Sequence, residues 1–174
     1  MSDQLHLLNL FVSQDETREG IMSPFWKNGY AYATDGRIAV RMRCEQNPWP
    51  DDDIQRPNAE AIFVGFTTIG EPFNPPSYVA AITTCQSCLG LGERCCDMGH
   101  YHPCDFCEDG REYSWPEFEF NGRVFYGEHL TKLATLPGAR VWVDSAQDNS
   151  KPCYVTWKHG DGFIMSIKKK EGAQ

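Results

Sequence analysis

Six of the chain's eight cysteines fall between residues 85 and 110, in the stretch CQSCLGLGERCCDMGHYHPCDFCEDG. Cys85 and Cys88 form one Cys-x2-Cys pair, and Cys104 and Cys107 form a second after a fifteen-residue spacer. Two residues between cysteines let one tight turn aim both sulfurs at a single ion, and two such turns complete a tetrahedron. The spacing therefore specifies a four-thiolate zinc centre. Glycines behind each pair allow the positive φ values that turn backbone N–H groups toward the sulfurs.

Four further candidate ligands, Cys95, Cys96, His100 and His102, lie between the two pairs. They can form a second, Cys2His2 site, one can replace a ligand of the first, or all four are plain loop residues. Adjacent cysteines diverge and do not readily share one ion, because successive side chains point apart. Cys44 and Cys153 stand alone and read as small core residues, with nothing nearby to activate a thiolate. A site made of four cysteines is closed, with no position open to water or substrate. The chain also lacks a Gly-rich phosphate loop, a Gly-x-Ser-x-Gly and a His-Glu-x-x-His. His6, His129 and His159 are isolated in sequence and read as satisfied polar residues. No catalytic residue is expected.

The elements that position the cysteines come from a chain of 174 residues with a formal charge of −8. That length holds one domain with a core and a small insertion. The charge argues against a broad basic surface and leaves room for a local basic groove. Residues 84–112 contain six acidic and two basic residues, a net −4. Lys168, Lys169 and Lys170 read as a solvated tail. No apolar run is long enough to span a bilayer, and the N-terminus lacks a secretory pattern. These features imply a cytoplasmic protein with no membrane partner, in which clustered thiols hold metal and do not form disulfides.

Three hairpins are predicted from turn chemistry. Residues 30–34 and 38–42 alternate around Asp35-Gly36, and Phe118/Phe120 and Val124/Tyr126 flank Asn121-Gly122. A Gly-rich turn at 159–162 joins the third pair of strands. ARVWVD reads as a further strand and GEHLTKLATLPG as a helix stopped by Pro137-Gly138. QLHLLNLFV is apolar throughout, so periodicity leaves strand and short helix open. The sum is an α+β protein, mostly antiparallel β, with a body of residues 1–83 and 113–174 and a zinc-binding insertion at 84–112.

Cys85, Cys88, Gly90 and Gly92 match the Cys-x-x-Cys-x-Gly-x-Gly knuckle of the DnaJ-type chaperone Cys-rich domain. The second pair departs from it, since Gly110 comes one place late and the second glycine is missing. The resemblance covers about thirty residues and implies a zinc-binding form, not a chaperone.

Ala33, Thr34, Asp35, Gly36 and Arg37 resemble the Ala-Thr-Asp-Gly-x-Arg strand–turn–strand of bacterial sliding clamps. Gly162, Ile164 and Met165 resemble the ending of a clamp domain, with Ser166 in place of a proline. The layout is also similar to that of a group of phage and prophage proteins: Asp15 and Arg18 early, then the Thr-Asp-Gly-Arg turn, the cysteine pairs, a Leu-Pro-Gly and a final Gly-rich hairpin. This likeness implies a clamp-like body associated with DNA, for which a six-domain ring would need six copies, so an oligomer is open. The acidic surface and the cysteine insertion point instead to a factor that binds or inhibits a host replication or defence protein. With DNA as the partner, Arg37, Arg41 and Arg43 would form a basic stripe on one strand face, positioned for phosphate. Gln4–Leu8 resembles the short peptides that dock on bacterial clamps; the alternative is a core segment, and burial of Leu8 decides between them.

Overall fold

The computed structural model describes residues 2–50, 53–63, 68–95, 101–144 and 151–167. It divides into two compact units, Met1–Ser77 with Glu117–Gln174, and Tyr78–Pro116. We call them the body and the module. In chain order the body begins with α1 (Ser2–Leu5), 3-10 segments at His6–Phe11 and Glu16–Ile21, β1 (Phe25–Lys27), β2 (Tyr30–Thr34) and β3 (Ile38–Arg43). α2 (Ala59–Phe63) and β4 (Glu71–Phe73) follow. The module holds β5 (Ala81–Thr84), β6 (Glu93–Cys95), β7 (Tyr101–Pro103) and β8 (Arg111–Ser114). The body resumes with β9 (Glu117–Phe120), β10 (Arg123–Tyr126), α3 (Gly127–Ala134), β11 (Arg140–Val143), β12 (Cys153–Trp157) and β13 (Gly160–Ile164).

The body is built on a seven-stranded antiparallel sheet of order β1-β2-β3-β13-β12-β11-β4, with β9 and β10 as a separate hairpin. Alternation along β3 gives the sheet two apolar faces. Ile38, Val40 and Met42 are buried on one, the side that also takes Ile164 of β13. The His6–Phe11 segment packs on β2 and β3, with Leu8 and Phe11 both fully buried. On the other face Ala39 and Phe163 cluster with Phe25, Tyr32, Ala59 and Phe63. Each large apolar side chain removed from water contributes about 1.5–3 kcal/mol, so burial on both faces of the sheet stabilises the body.

The hairpins at Asp35-Gly36 and Asn121-Gly122 form as read from the sequence, the second with φ of +48° and +75° at its turn. A further one, β1–β2, turns at Asn28-Gly29 with φ of +47° and +82°. The third hairpin differs from expectation. Its turn is Lys158-His159, and Gly160 and Gly162 lie within β13. A Cβ at Gly160 would overlap the carbonyl of Arg41, and one at Gly162 that of Ala39. The glycines let β13 press against β3, a strand role for residues that look like turn formers. β4 lies in the proline-rich stretch of residues 70–77, at the sheet's edge, where Pro72 is tolerated. α2 lies beyond what the pattern indicated.

The module is wider than the insertion inferred from the sequence. β5 and β8 pair from Ala81↔Ser114 to Thr84↔Arg111, so the strands flanking the cysteines travel with them. β6 and β7 form a second small hairpin.

Candidate metal centre

Two short turns bring the cysteines together. In the first, the N–H of Gly90 donates to the Cys85 carbonyl and that of Leu91 to the Cys88 carbonyl, both at 3.1 Å. In the second, Glu108 and Arg111 exchange two backbone hydrogen bonds around Asp109 and Gly110, whose φ values are +47° and +79°. The turns are cross-tied. The N–H of Cys85 donates to the carbonyl of Gly110 at 2.9 Å, and the N–H of Cys104 to that of Gly92 at 2.8 Å. Gly110 also presses on the backbone of Gly90 so closely that a Cβ would overlap the Gly90 carbonyl. The single glycine of the second pair thus locks the two halves, although it sits one place later than the repeat would put it.

The four sulfurs all lie within 4.8 Å of one another, and Cys85, Cys88 and Cys104 are buried. Sγ of Cys85 is 3.9 Å from that of Cys104, and Sγ of Cys88 is 3.6 Å from that of Cys107. A tetrahedron of Zn–S bonds of about 2.3 Å has edges of about 3.8 Å. The sulfurs therefore fit zinc, which would be held by Cys85, Cys88, Cys104 and Cys107 and would supply cross-linking and not reactivity. The N–H of Gly92 donates to Sγ of Cys88 at 3.3 Å, the kind of bond that steadies a thiolate.

Burial raises the thiol pKa at Cys85, Cys88 and Cys107. At Cys88 the N–H of Gly92, the Cys107 thiol and the N–H of Gly90 together outweigh it and bring the group to about 7. At Cys107 the neighbouring sulfurs add to burial and push it to about 12. Cys85 stands above its ordinary value through burial and the Glu112 carboxylate. A bound cation resolves this competition by favouring all four thiolates.

Of the other candidate ligands, the two among the described residues, Cys95 and His102, do not converge. Cys95 pairs with Tyr101 and His102 with Arg94 on adjacent rungs of the β6–β7 hairpin, so the two face opposite ways. Among the described residues the four cysteines are the one group of three or more His, Cys, Asp or Glu at ligand spacing. Cys95 and His102 are thus corrected to hairpin surface residues, while Cys96 and His100 lie outside the described residues, as do Lys168, Lys169 and Lys170. Cys44 and Cys153 are buried in the body, and burial pushes the Cys153 thiol up to about 11.

The arginine stripe requires a correction. Arg41 makes a bidentate pair with Asp161 at 2.7 and 3.0 Å and lies between the rings of Tyr30 and Phe63, 4.7 and 4.2 Å from their centres. Asp161 also accepts from the Tyr154 hydroxyl at 2.9 Å. Ala39 interrupts the row, and the two exposed arginines are set apart, Arg37 in the turn before β3 and Arg43 at its far end. A stripe needs three outward side chains; this strand has its middle one inside.

The Thr-Asp-Gly-Arg turn is a built junction. Oδ1 of Asp35 accepts from the N–H groups of Arg37 and Ile38 at 2.8 and 2.9 Å, and the Thr34 hydroxyl donates to the Ile38 carbonyl at 2.8 Å. Arg18 donates to the Asp35 carbonyl at 2.6 Å and packs on Gly36, where any Cβ would overlap its guanidinium. Asp15 accepts from the backbone and hydroxyl of Thr17 at the start of the segment that carries Arg18. The distant Asp15/Arg18 pair is therefore tied to the turn. From α3, Nε2 of His129 comes within 3.5 Å of Asp35 and Nζ of Lys132 within 3.8 Å. Beside this junction is a cleft of about 440 Å3, lined by Gly36, Arg37, Tyr126, His129, Met165 and Ile167. His129 is 7% exposed and its Nδ1 has no partner. The sequence marked the turn but not the cleft, which forms only when the end of β13 meets the start of α3.

Leu8 is fully buried, so Gln4–Leu8 is a core segment and not a docking peptide. Gln4 is held by His159 at 2.7 Å.

Sheet order and the β9–β10–α3 succession define an α+β fold, mostly antiparallel, and the module brings together four cysteines that could hold a metal ion. No protein-family profile matches the chain, and no curated protein matches it. Among solved structures it is similar to a DnaN sliding clamp, the DNA polymerase III subunit beta, from Bartonella birtlesii bound to griselimycin. The identity is 12% and the TM-score 0.50, over 96% of this chain and 64% of that one. The chain thus spans less than two thirds of that protein's length, and the likeness is one of fold. Among the described residues no helix is long and apolar enough to cross a membrane.

Proposed function

We propose that this chain is a non-enzymatic zinc protein, of the phage origin its layout implies, that serves as a clamp-like accessory module in DNA replication. The observation that carries the reading is the likeness to a polymerase subunit across 96% of the chain. Zinc has a structural role here, because four cysteines fill its coordination shell. Contact with DNA falls to Arg37 and Arg43, the exposed members of the arginine set, and is non-specific and salt-sensitive. A second reading, a factor that binds or inhibits a host replication or defence protein, is supported by the −8 charge and by the cleft beside Gly36, where the Nδ1 of His129 lacks a partner.

One experiment separates the two. Retention on duplex DNA is measured at low and high salt for wild type and for R37E/R43E, alongside capture from bacterial lysate with and without nuclease. Low-salt retention that the double variant loses supports the DNA reading. No retention, with nuclease-resistant capture of a protein, moves the assignment to the second.

A further inference from the structure

Exposed large hydrophobic side chains gather in the module. Among the described residues, seven of the eleven large hydrophobic side chains left in solvent belong to it: Val79, Ile82, Leu89, Leu91, Tyr101, Phe106 and Tyr113. Small size explains part of this, since so short a segment cannot enclose a core. It does not explain Leu89 and Leu91. Each is 75% exposed, and Leu89 holds a left-handed backbone with φ of +54°. Asparagine or glycine adopts that conformation at lower cost than leucine. A leucine that is strained and also exposed gives the module nothing in stability, so it serves something outside the module.

The charged side chains around the two leucines are mostly acidic, with Arg94 and Arg111 as the module's two basic ones. Glu93 lies two residues beyond Leu91, and the Cα of Asp109 is 3.4 Å from where a Cβ on Gly92 would stand. Glu93, Asp105, Glu108 and Asp109 are all exposed. The module carries six acidic and two basic side chains, a net −4. A zinc bound by four thiolates adds a further two negative charges. That balance repels nucleic acid, anionic lipid and a second copy of the same surface.

We propose that the knuckle face bearing Leu89 and Leu91, rimmed by Glu93, Glu108 and Asp109, docks a partner polypeptide segment that presents apolar side chains among lysines or arginines. The inference rests on the zinc reading of the same module. Apolar contact supplies the affinity, and the acidic rim supplies rate and choice of partner.

The probes are three short synthetic peptides, of leucine with lysine, serine with lysine, and leucine with glutamate. Binding to the full zinc-loaded chain is followed by fluorescence anisotropy at low and high salt, with zinc content measured on every sample. The leucine–lysine peptide binds; L89N/L91Q weakens it about tenfold, and E108Q/D109N weakens it and flattens its salt dependence. Because asparagine suits a positive φ, L89N/L91Q keeps its zinc and melts at or above the wild-type temperature. Several results overturn the proposal: equal binding of the serine–lysine peptide, full binding by L89N/L91Q, binding of no peptide, or a dimer that depends on the two leucines. A lower melting temperature or lost zinc in L89N/L91Q also overturns it, since the leucines would then be structural. Loss of zinc from wild type would instead indict the metal reading.

Discussion

The body and the module solve the same problem by different means. The body encloses Phe11, Phe125, Leu130 and Leu133 completely and ties its sheet together with strands from both ends of the chain. The module buries three cysteines with a fourth beside them as its own core, and β5, β6 and β7 are exposed along their whole length. One unit is held by area removed from water; the other is centred on four sulfurs that could hold a metal ion. Below about 40 residues a chain rarely folds without such a staple.

The largest test of this contrast is removal of the metal. Chelation, or Cys85→Ser, is expected to collapse the amide dispersion of residues 78–116 in an NMR spectrum while the body's hairpins keep theirs. Metal analysis should find one zinc per chain before treatment and none after. Global loss of near-ultraviolet circular dichroism on chelation would break the comparison outright. Gly110→Ala approaches the same end without touching a ligand: its φ of +79° and its contact with Gly90 leave no room for a methyl group, so zinc affinity falls sharply with the body intact.

The converse variant is Leu133→Ala. It should cost the body about 2–5 kcal/mol in denaturant unfolding and leave zinc content unchanged. Within the body, Arg41→Ala should cost about 1–3 kcal/mol by stranding Asp161. Arg43→Ala, on the same strand but in solvent, should stay within about 0.5 kcal/mol.

The smallest effect is a dependence on pH. Burial holds the His129 imidazole below its ordinary pKa, against the opposing pull of Asp35 and Glu128 and with small help from Lys132 and Arg37. The unfolded chain therefore takes up this proton first, and the histidine's contribution to stability is whole above a pH of about 6.5 and is lost as pH falls below it. His129→Gln should flatten the stability profile in that window and leave the module's zinc in place.

Much of this contrast could be read in the residues, for a physical reason. Thiolate spacing and two-residue turns are local signals, so Cys85, Cys88, Cys104 and Cys107 and the Asn121-Gly122 hairpin are visible without a fold. Partners far away in the chain are not. Nothing near Arg41 says that Asp161 will pair with it across β3 and β13, so three alternate arginines look like an open stripe. Gly160 and Gly162 look like a turn until β3 is laid beside them. Asn28-Gly29 is a local signal of the same kind, a two-residue turn with both φ values positive. Arg18 behaves as a long-range counterpart to Gly36, and its place in the sequence marks it only by recurrence with Asp15.

The order of strands also bears on how a ribosome delivers this molecule. β13 sits between β3 and β12, so the sheet's middle strand is synthesised after the module and after every other strand of the sheet. Until it emerges, β3 presents an open hydrogen-bonding edge, a state prone to pairing with the wrong partner. The module needs nothing from β13 within its own pairings and can take its metal while the body is still waiting. The order of synthesis therefore lets the four cysteines come together before the sheet closes. A chain arrested before residue 160 would carry all four cysteines of the cluster on a body whose sheet lacks its middle strand.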